Sequence, residues 1–168
     1  MFDVNKIRND FPMIVNHPDL IYFDSAATSF KPQSVIDEVV RYYEYNDSNI
    51  HRGDYDISFA VSKQYDETRN VIARFINADR PESIVYTYGA TSSLNTVAIN
   101  FGNKFLNKDD VILTSMIEHA SNILPWFKAS EKSGAQIRYI PFFPNGLFDL
   151  EAYKKCFEDH KVKVGVLP

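Results

Sequence analysis

Residues 111–140 read VILTSMIEHASNILPWFKASEKSGAQIRYI, and this stretch decides the fold. Val111-Ile112-Leu113-Thr114 is a β-rich run of strand length. A helical stretch from about residue 122 to residue 131 follows, and Ser133-Gly134 ends it. Residues 136–140 then form a second strand-like run. Strand, helix, strand with short connections is the unit from which parallel sheets are built.

The same alternation continues outward. Upstream, residues 83–87 read as a strand that runs into Gly89 and a helix carrying Leu94, Val97, Ala98 and Phe101. Before that, Val61, Tyr65, Thr68, Ile72 and Phe75 fall at three- and four-residue steps, which predicts a helix over residues 58–76 with Ser58 as its N-cap. Pro32 opens another helix through about residue 45, because a proline in the first turn gives up no bond. Ile21-Tyr22-Phe23 reads as a short strand leading into Asp24-Ser25-Ala26-Ala27. Downstream come the turn Pro144-Asn145-Gly146, a helix over residues 150–157 and a strand over residues 162–167. The expected class is therefore α/β, with a mainly parallel sheet and flanking helices. Such sheets bind ligands beyond the carboxyl ends of their strands, so chemistry is sought there.

Composition narrows the function. The 168 residues are 45% hydrophobic and 24% charged, the balance of a folded globular chain. A net charge of −4 gives no basic surface for nucleic acid or anionic membrane. No apolar run reaches the roughly 18–20 residues of a membrane span, and Met1 to Lys6 lack the build of a signal peptide, so a cytoplasmic protein is expected. Thirteen Phe and ten Tyr point to large buried faces or a subunit interface. No repeat or low-complexity linker marks a domain boundary. The last strand is followed by Pro168 alone, and an uncovered edge strand invites pairing, so the domain reads as incomplete.

Three loops carry candidate chemistry. Gly89-Ala90-Thr91-Ser92 follows a strand and opens a helix, where free N–H groups and the helix dipole suit a phosphate. Lacking a following Lys, it is not a nucleotide P-loop, and the same hydroxyls would also serve a plain helix cap. Glu118-His119-Ala120-Ser121-Asn122 puts a histidine just after a strand, fit for stacking on a ring, for proton transfer or for a purely structural bond. The four histidines, at 17, 51, 119 and 160, are too scattered for a metal site. His51-Arg52-Gly53-Asp54 is a polar turn whose Arg52 could clamp a carboxylate or simply be solvated. The single cysteine, Cys156, excludes an internal disulfide and reads as a small buried thiol.

In order along the chain stand Phe23-Asp24-Ser25-Ala26-Ala27-Thr28, Asn49-Ile50-His51-Arg52-Gly53, Gly89-Ala90-Thr91-Ser92-Ser93-Leu94-Asn95 and Glu118-His119-Ala120-Ser121-Asn122-Ile123-Leu124-Pro125-Trp126. From about residue 4 onward this series closely resembles class V, fold-type I pyridoxal-phosphate enzymes of the cysteine desulfurase / selenocysteine lyase family. The resemblance implies that residues 1–168 form the N-terminal part of the fold-type I pyridoxal-phosphate-dependent transferase large domain. It implies pyridoxal 5′-phosphate as cofactor, with Gly89, Ala90 and Thr91 at its phosphate, His119 stacked on its ring as the catalytic residue, and Asn122 supporting the His119 loop. Ala90 stands where many relatives carry Thr, which removes one hydroxyl donor. Ala26, Ala27, His51 and Arg52 fall on the substrate side.

The implied reaction takes L-cysteine or L-selenocysteine, leaves L-alanine and passes the sulfur to an enzyme cysteine as a persulfide. A sulfur-acceptor protein and a homodimer at full length are the implied partners. The Schiff-base Lys, the Asp at the pyridine nitrogen, the nucleophilic Cys and the substrate Arg of that family have no counterpart in these residues. The chain is accordingly expected to be a fragment, poorly stable and inactive alone. Other class V enzymes of aminotransferase, kynureninase or epimerase type, or a non-catalytic module that pairs with a homologous chain, are the alternatives. The His51-Arg52-Gly53 loop and the segment from Glu118 to Trp126 favour the desulfurase.

Overall fold

A computed structural model describes residues 3–167; Met1, Phe2 and Pro168, and with them the expectations placed on those residues, lie outside the described part. The chain divides into two compact units, one up to Ile84 and one from Val85 onward. No composition shift announces that division.

The second unit is organised by strand β1, Val111–Thr114, all four residues of which are buried. It lies between β2, Gln136–Tyr139, and β3, Val162–Val166, and pairs in parallel with both. The register sets Ile112 against Ile137 on one side and Val164 on the other, with an irregularity after Val111. Parallel neighbours cannot be joined by a tight turn, so a helix must cross between them. That helix is α6, Ala120–Ser133, and Gly134 closes it in the left-handed conformation at φ 78°. The longer α5, Ala90–Phe105, packs against α6. Gly102 makes the approach possible: a Cβ there would stand 2.7 Å from the Ala129 Cβ. Beneath the pair, Ala98, Ile112, Trp126, Ala129, Ala135 and Val166 form the core, edged by Phe101 and Ile137. A short helix α7, Leu150–Lys155, capped by Asp149, precedes β3. Arg138 on β2 holds the far end of this connection through Asp159, at 2.6 Å, and through the Cys156 carbonyl, at 2.7 Å. Cys156 is half-buried, and its thiol donates to the Ala152 carbonyl.

The first unit is helical. Two single-turn helices, α1 (Val4–Arg8) and α2 (Pro12–Asn16), precede α3 (Gln33–Arg41), which continues as a π-helix over Tyr42–Asn46. The 20-residue α4, Asp56–Phe75, is its main element. No helix among the described residues is long and apolar enough to cross a membrane.

The parallel α/β layer agrees with the sequence, but three local expectations do not. Residues 21–23 form no strand, with Ile21 and Phe23 exposed, because a β-prone run becomes a strand only beside a neighbour that takes its hydrogen bonds. Residues 83–87 likewise form no strand; Pro81 starts a 3-10 turn, Pro81–Ser83, which Ile84 leaves in an extended conformation. Ser58 is not the N-cap of α4. The helix begins two residues earlier at Asp56, after Tyr55, and the Ser58 hydroxyl bonds elsewhere.

Two tests follow from this packing. Gly102→Val should cost about 2 kcal/mol in a urea melt, since the branched side chain must push α5 off Ala129. The Arg138 hydrogen bond, aided by the Lys161 N–H, holds the Asp159 carboxyl down at about 2 from its ordinary 3.8. A lowered carboxyl stabilises the fold above its unfolded range and loses that contribution as pH falls. Thermal stability between pH 3.8 and about 2 should therefore fall less steeply in Asp159→Asn than in the parent.

Candidate functional site

Two loops of the second unit, at the start of α5 and the start of α6, come together. Helix α5 is capped by Gly89, whose φ of 135° excludes an ordinary side chain and which places nothing over the helix end. A Cβ built on Gly89 meets no atom within 4 Å, so the space before the helix is open. The first N–H groups of a helix have no intrahelical acceptor, and they carry the positive end of its dipole. Around this opening the hydroxyls of Thr87 and Ser93 lie 2.6 Å apart, so that one donates to the other and the second is left to donate to the Gly89 carbonyl. They brace the turn from behind. Uncapped N–H groups at the start of a helix are, in general, suited to a phosphate-sized anion.

Thr91, in the first turn of α5, already has a partner. Its hydroxyl donates to the Ser121 hydroxyl at 2.9 Å, across 30 residues of sequence. A hydroxyl has one hydrogen to give. An anion at the α5 end is therefore met by backbone N–H groups first, with Thr91 able to serve once it turns from Ser121, or with the Ser121 O–H in its place.

His119 is the N-cap of α6, an uncommon duty for histidine. Its Nδ1 accepts the Ser121 N–H at 3.1 Å. That bond fixes the tautomer: the neutral ring carries its proton on Nε2. The loop before it is held by Glu118, whose carboxylate accepts from the buried Ser115 hydroxyl at 3.1 Å and from Asn122 Nδ2 at 2.7 Å. Asn122 also donates to the Leu167 carbonyl at 3.3 Å, tying the start of α6 to the end of β3. Gly89, Ala90, Thr91, His119 and Asn122 are thus gathered in one unit.

Ala26, Ala27, His51 and Arg52 belong to the other unit. Ala26 and Ala27 are exposed in a turn closed by the Ala27 and Thr28 N–H groups on the Asp24 carbonyl, and the Tyr22 hydroxyl donates across it to Thr28. His51 and Arg52 are exposed in the loop before α4. His51 takes φ 54°, and its Nε2 stands 3.6 Å from Asp66. Sequence reasoning missed Ser121, Ser115 and Thr87, which position the loops. Only Ser121 carried a signal, since it lies inside the quoted Glu118-to-Trp126 motif.

Residues 21–166 match the aminotransferase class-V family model, and the chain belongs to that family. It is 38% identical over 164 residues to a probable cysteine desulfurase of Synechocystis, covering 96% of this chain and 39% of that one. It is 39% identical over 158 residues to a probable cysteine desulfurase of Vibrio cholerae, with 92% and 39% covered. Among solved structures it resembles the apo cysteine desulfurase of Thermococcus onnurineus, with a TM-score of 0.86 at 34% identity over 99% of this chain and 40% of that one. An Escherichia coli cysteine desulfurase gives 0.81 at 27% identity, covering 98% and 41%. The chain thus spans about 40% of the length of these relatives.

The tautomer is open to direct measurement. Nitrogen-correlated NMR of the histidine rings, with the His119 signal assigned by its loss in His119→Phe, should show neutral His119 protonated at Nε2 and bare at Nδ1. A signal for protonated Nδ1 would refute the capping geometry. The same substitution should cost α6 about 1 kcal/mol through the lost cap.

Proposed function

We propose that this chain supplies the phosphate-holding and ring-facing part of a pyridoxal 5′-phosphate site in an enzyme that takes sulfur from L-cysteine, or selenium from L-selenocysteine, and leaves L-alanine. The observation that carries this reading is the Thr91–Ser121 bond. It joins an open, glycine-capped helix end to the histidine that begins the next helix. The likeness to cysteine desulfurases supports the choice of reaction.

In this reading the backbone N–H groups of Ala90, Thr91 and Ser92 hold the cofactor phosphate, with Thr91 or Ser121 adding one hydroxyl. Gly89 lets the phosphate come close because no Cβ stands in its way. His119 stacks on the ring; its Nε2–H, the free end of the imidazole, is placed to hold or move a proton, while Nδ1 stays with Ser121. Glu118 and Asn122 keep the loop from turning. When bound, the cofactor acts as the electron sink for the amino-acid Cα. Ala26, Ala27, His51 and Arg52 face the substrate.

The lysine that holds the cofactor covalently and the cysteine that takes the sulfur would come from outside these 168 residues, so the chain alone would be inactive. The enzyme would act as a homodimer and hand its sulfur to an acceptor protein. Exposed rings at Phe23 and Phe75 in the first unit, and at Tyr88 in the second, support further polypeptide or a partner against each unit, since large apolar side chains seldom stand in water in number.

Protein purified from its own cells should contain pyridoxal phosphate and release alanine and sulfide from L-cysteine in the presence of a thiol. Thr91→Val should weaken cofactor retention about tenfold, the worth of one charge-assisted hydrogen bond. A protein that carries no pyridoxal phosphate, and binds pyridoxal as well as its phosphate, would overturn the reading.

A further inference from the structure

The His51–Arg52 turn is held by one face of helix α4, and by serines rather than by charge. Ser58 is 1% exposed, yet its hydroxyl neither caps α4 nor reaches solvent. It donates to the Asn49 carbonyl at 2.8 Å and accepts the Gly53 N–H at 3.1 Å, closing the loop from both ends. One turn on, the Ser62 hydroxyl accepts the His51 N–H at 2.8 Å and donates to the Ser58 carbonyl at 2.7 Å. That last bond is the ordinary serine-to-helix contact. The bond from His51 is not, for it leaves the helix and takes up the main chain of a residue at φ 54°, a region non-glycine residues seldom occupy.

Gly53 completes the fit. A Cβ there would stand 2.6 Å from the Ser58 Cβ and 2.7 Å from its oxygen, so loop and helix meet backbone to side chain. The side chain of His51 adds little of its own. Its 3.6 Å separation from Asp66 is longer than a hydrogen bond, and its ring meets Tyr65 only edge-on at 6.2 Å. Ser58, Ser62, Tyr65 and Asp66 fall at the steps of one helical face. The exposed Arg52 forms no hydrogen bond or ion pair among the described residues. A strained turn fixed at three main-chain points, with a cation at its tip, is a device for placing that cation.

We propose that Ser58 and Ser62 are positioning residues that fix the His51–Arg52 turn and so place the Arg52 guanidinium for an anionic group of the substrate. The clamp stands on the geometry of the loop alone. Its purpose rests on the assignment of His51 and Arg52 to the substrate side.

Two measurements separate the two parts. The first is the rate at which trypsin cuts the Arg52–Gly53 bond, compared by mass spectrometry with the rate at Arg74 in the same sample. Ser62→Ala and Ser58→Ala should speed this cut about tenfold, as expected for the loss of the main-chain bonds each serine holds. Ser62→Thr, which keeps the hydroxyl, should restore the parent rate, and far-UV circular dichroism should be unchanged in all three. An unaltered rate in both alanine variants overturns the clamp. Should Ser58→Ala not fold, the Ser62→Ala and Ser62→Thr pair decides the matter. The second measurement is steady-state kinetics of the holoenzyme with L-cysteine. Here Ser62→Ala should raise KM about tenfold and leave kcat nearly unchanged, with Ser62→Thr again restoring the parent value. A faster tryptic cut with an unmoved KM keeps the clamp and removes Arg52 from the substrate side.

Discussion

Strand β1 is bonded in parallel on both edges, and the rest of the second unit follows from that. Every residue of β1 is buried, so its neighbours must supply all of its backbone partners. Because those neighbours run the same way, the chain leaves β1 at the end where β3 also finishes, and it must cross over through α6 to reach β2. The loop from Ser115 to Asn122 is therefore confined to that end of the sheet. Asn122 makes the confinement specific by reaching the Leu167 carbonyl just past β3. A histidine there is placed by sheet topology before any of its own contacts are counted.

Short hydroxyl side chains then do the fine placement. Thr87, Thr91, Ser93, Ser115 and Ser121 join the site loops in one unit, and Ser58 and Ser62 hold the turn in the other. A loop that departs from regular structure leaves main-chain N–H and carbonyl groups without ladder partners, and a hydroxyl can satisfy one of each at once. It does so without the desolvation cost that a buried charge would bring. Arg138 and Asp159, the strong ion pair of the second unit, stand at the connection into β3 and secure the fold.

The sequence disclosed what local pattern controls. The β1 run, the β2 run and the helices on either side carried their period and their stop signals, and Gly134 ends α6 in the left-handed form that a C-terminal glycine leads one to expect. Residues 21–23 and 83–87 look like strands because extended propensity is local, while a strand is a relation between two segments. Ser58 misled for a related reason. Its position suited an N-cap, but its hydroxyl closes the preceding loop, and only the folded path of residues 49–53 shows that. His119 stood in the quoted motif, whereas its capping bond was hidden, since histidine seldom begins a helix. Gly89 and Thr91 were visible as a glycine-led helix start carrying a hydroxyl; the Thr91–Ser121 bond was not, because it links residues 30 apart.

That bond gives the two halves of the candidate site a common element. The Ser121 hydroxyl oxygen accepts a hydrogen bond from Thr91, and the Ser121 N–H donates one to His119. An anion that draws Thr91 away leaves the Ser121 hydroxyl short of a donor while its N–H still holds the ring. The starts of α5 and α6 are thus joined through one residue by two different groups, one movable and one fixed in the main chain. The movable group can adjust to what occupies the α5 end, while the fixed one keeps the imidazole plane and tautomer as they are. Alanine at position 121 would retain the main-chain half of this link and lose only the hydroxyl half. The His119 cap therefore follows from the backbone of the turn, and the choice of side chain at 121 bears on the Thr91 bond alone.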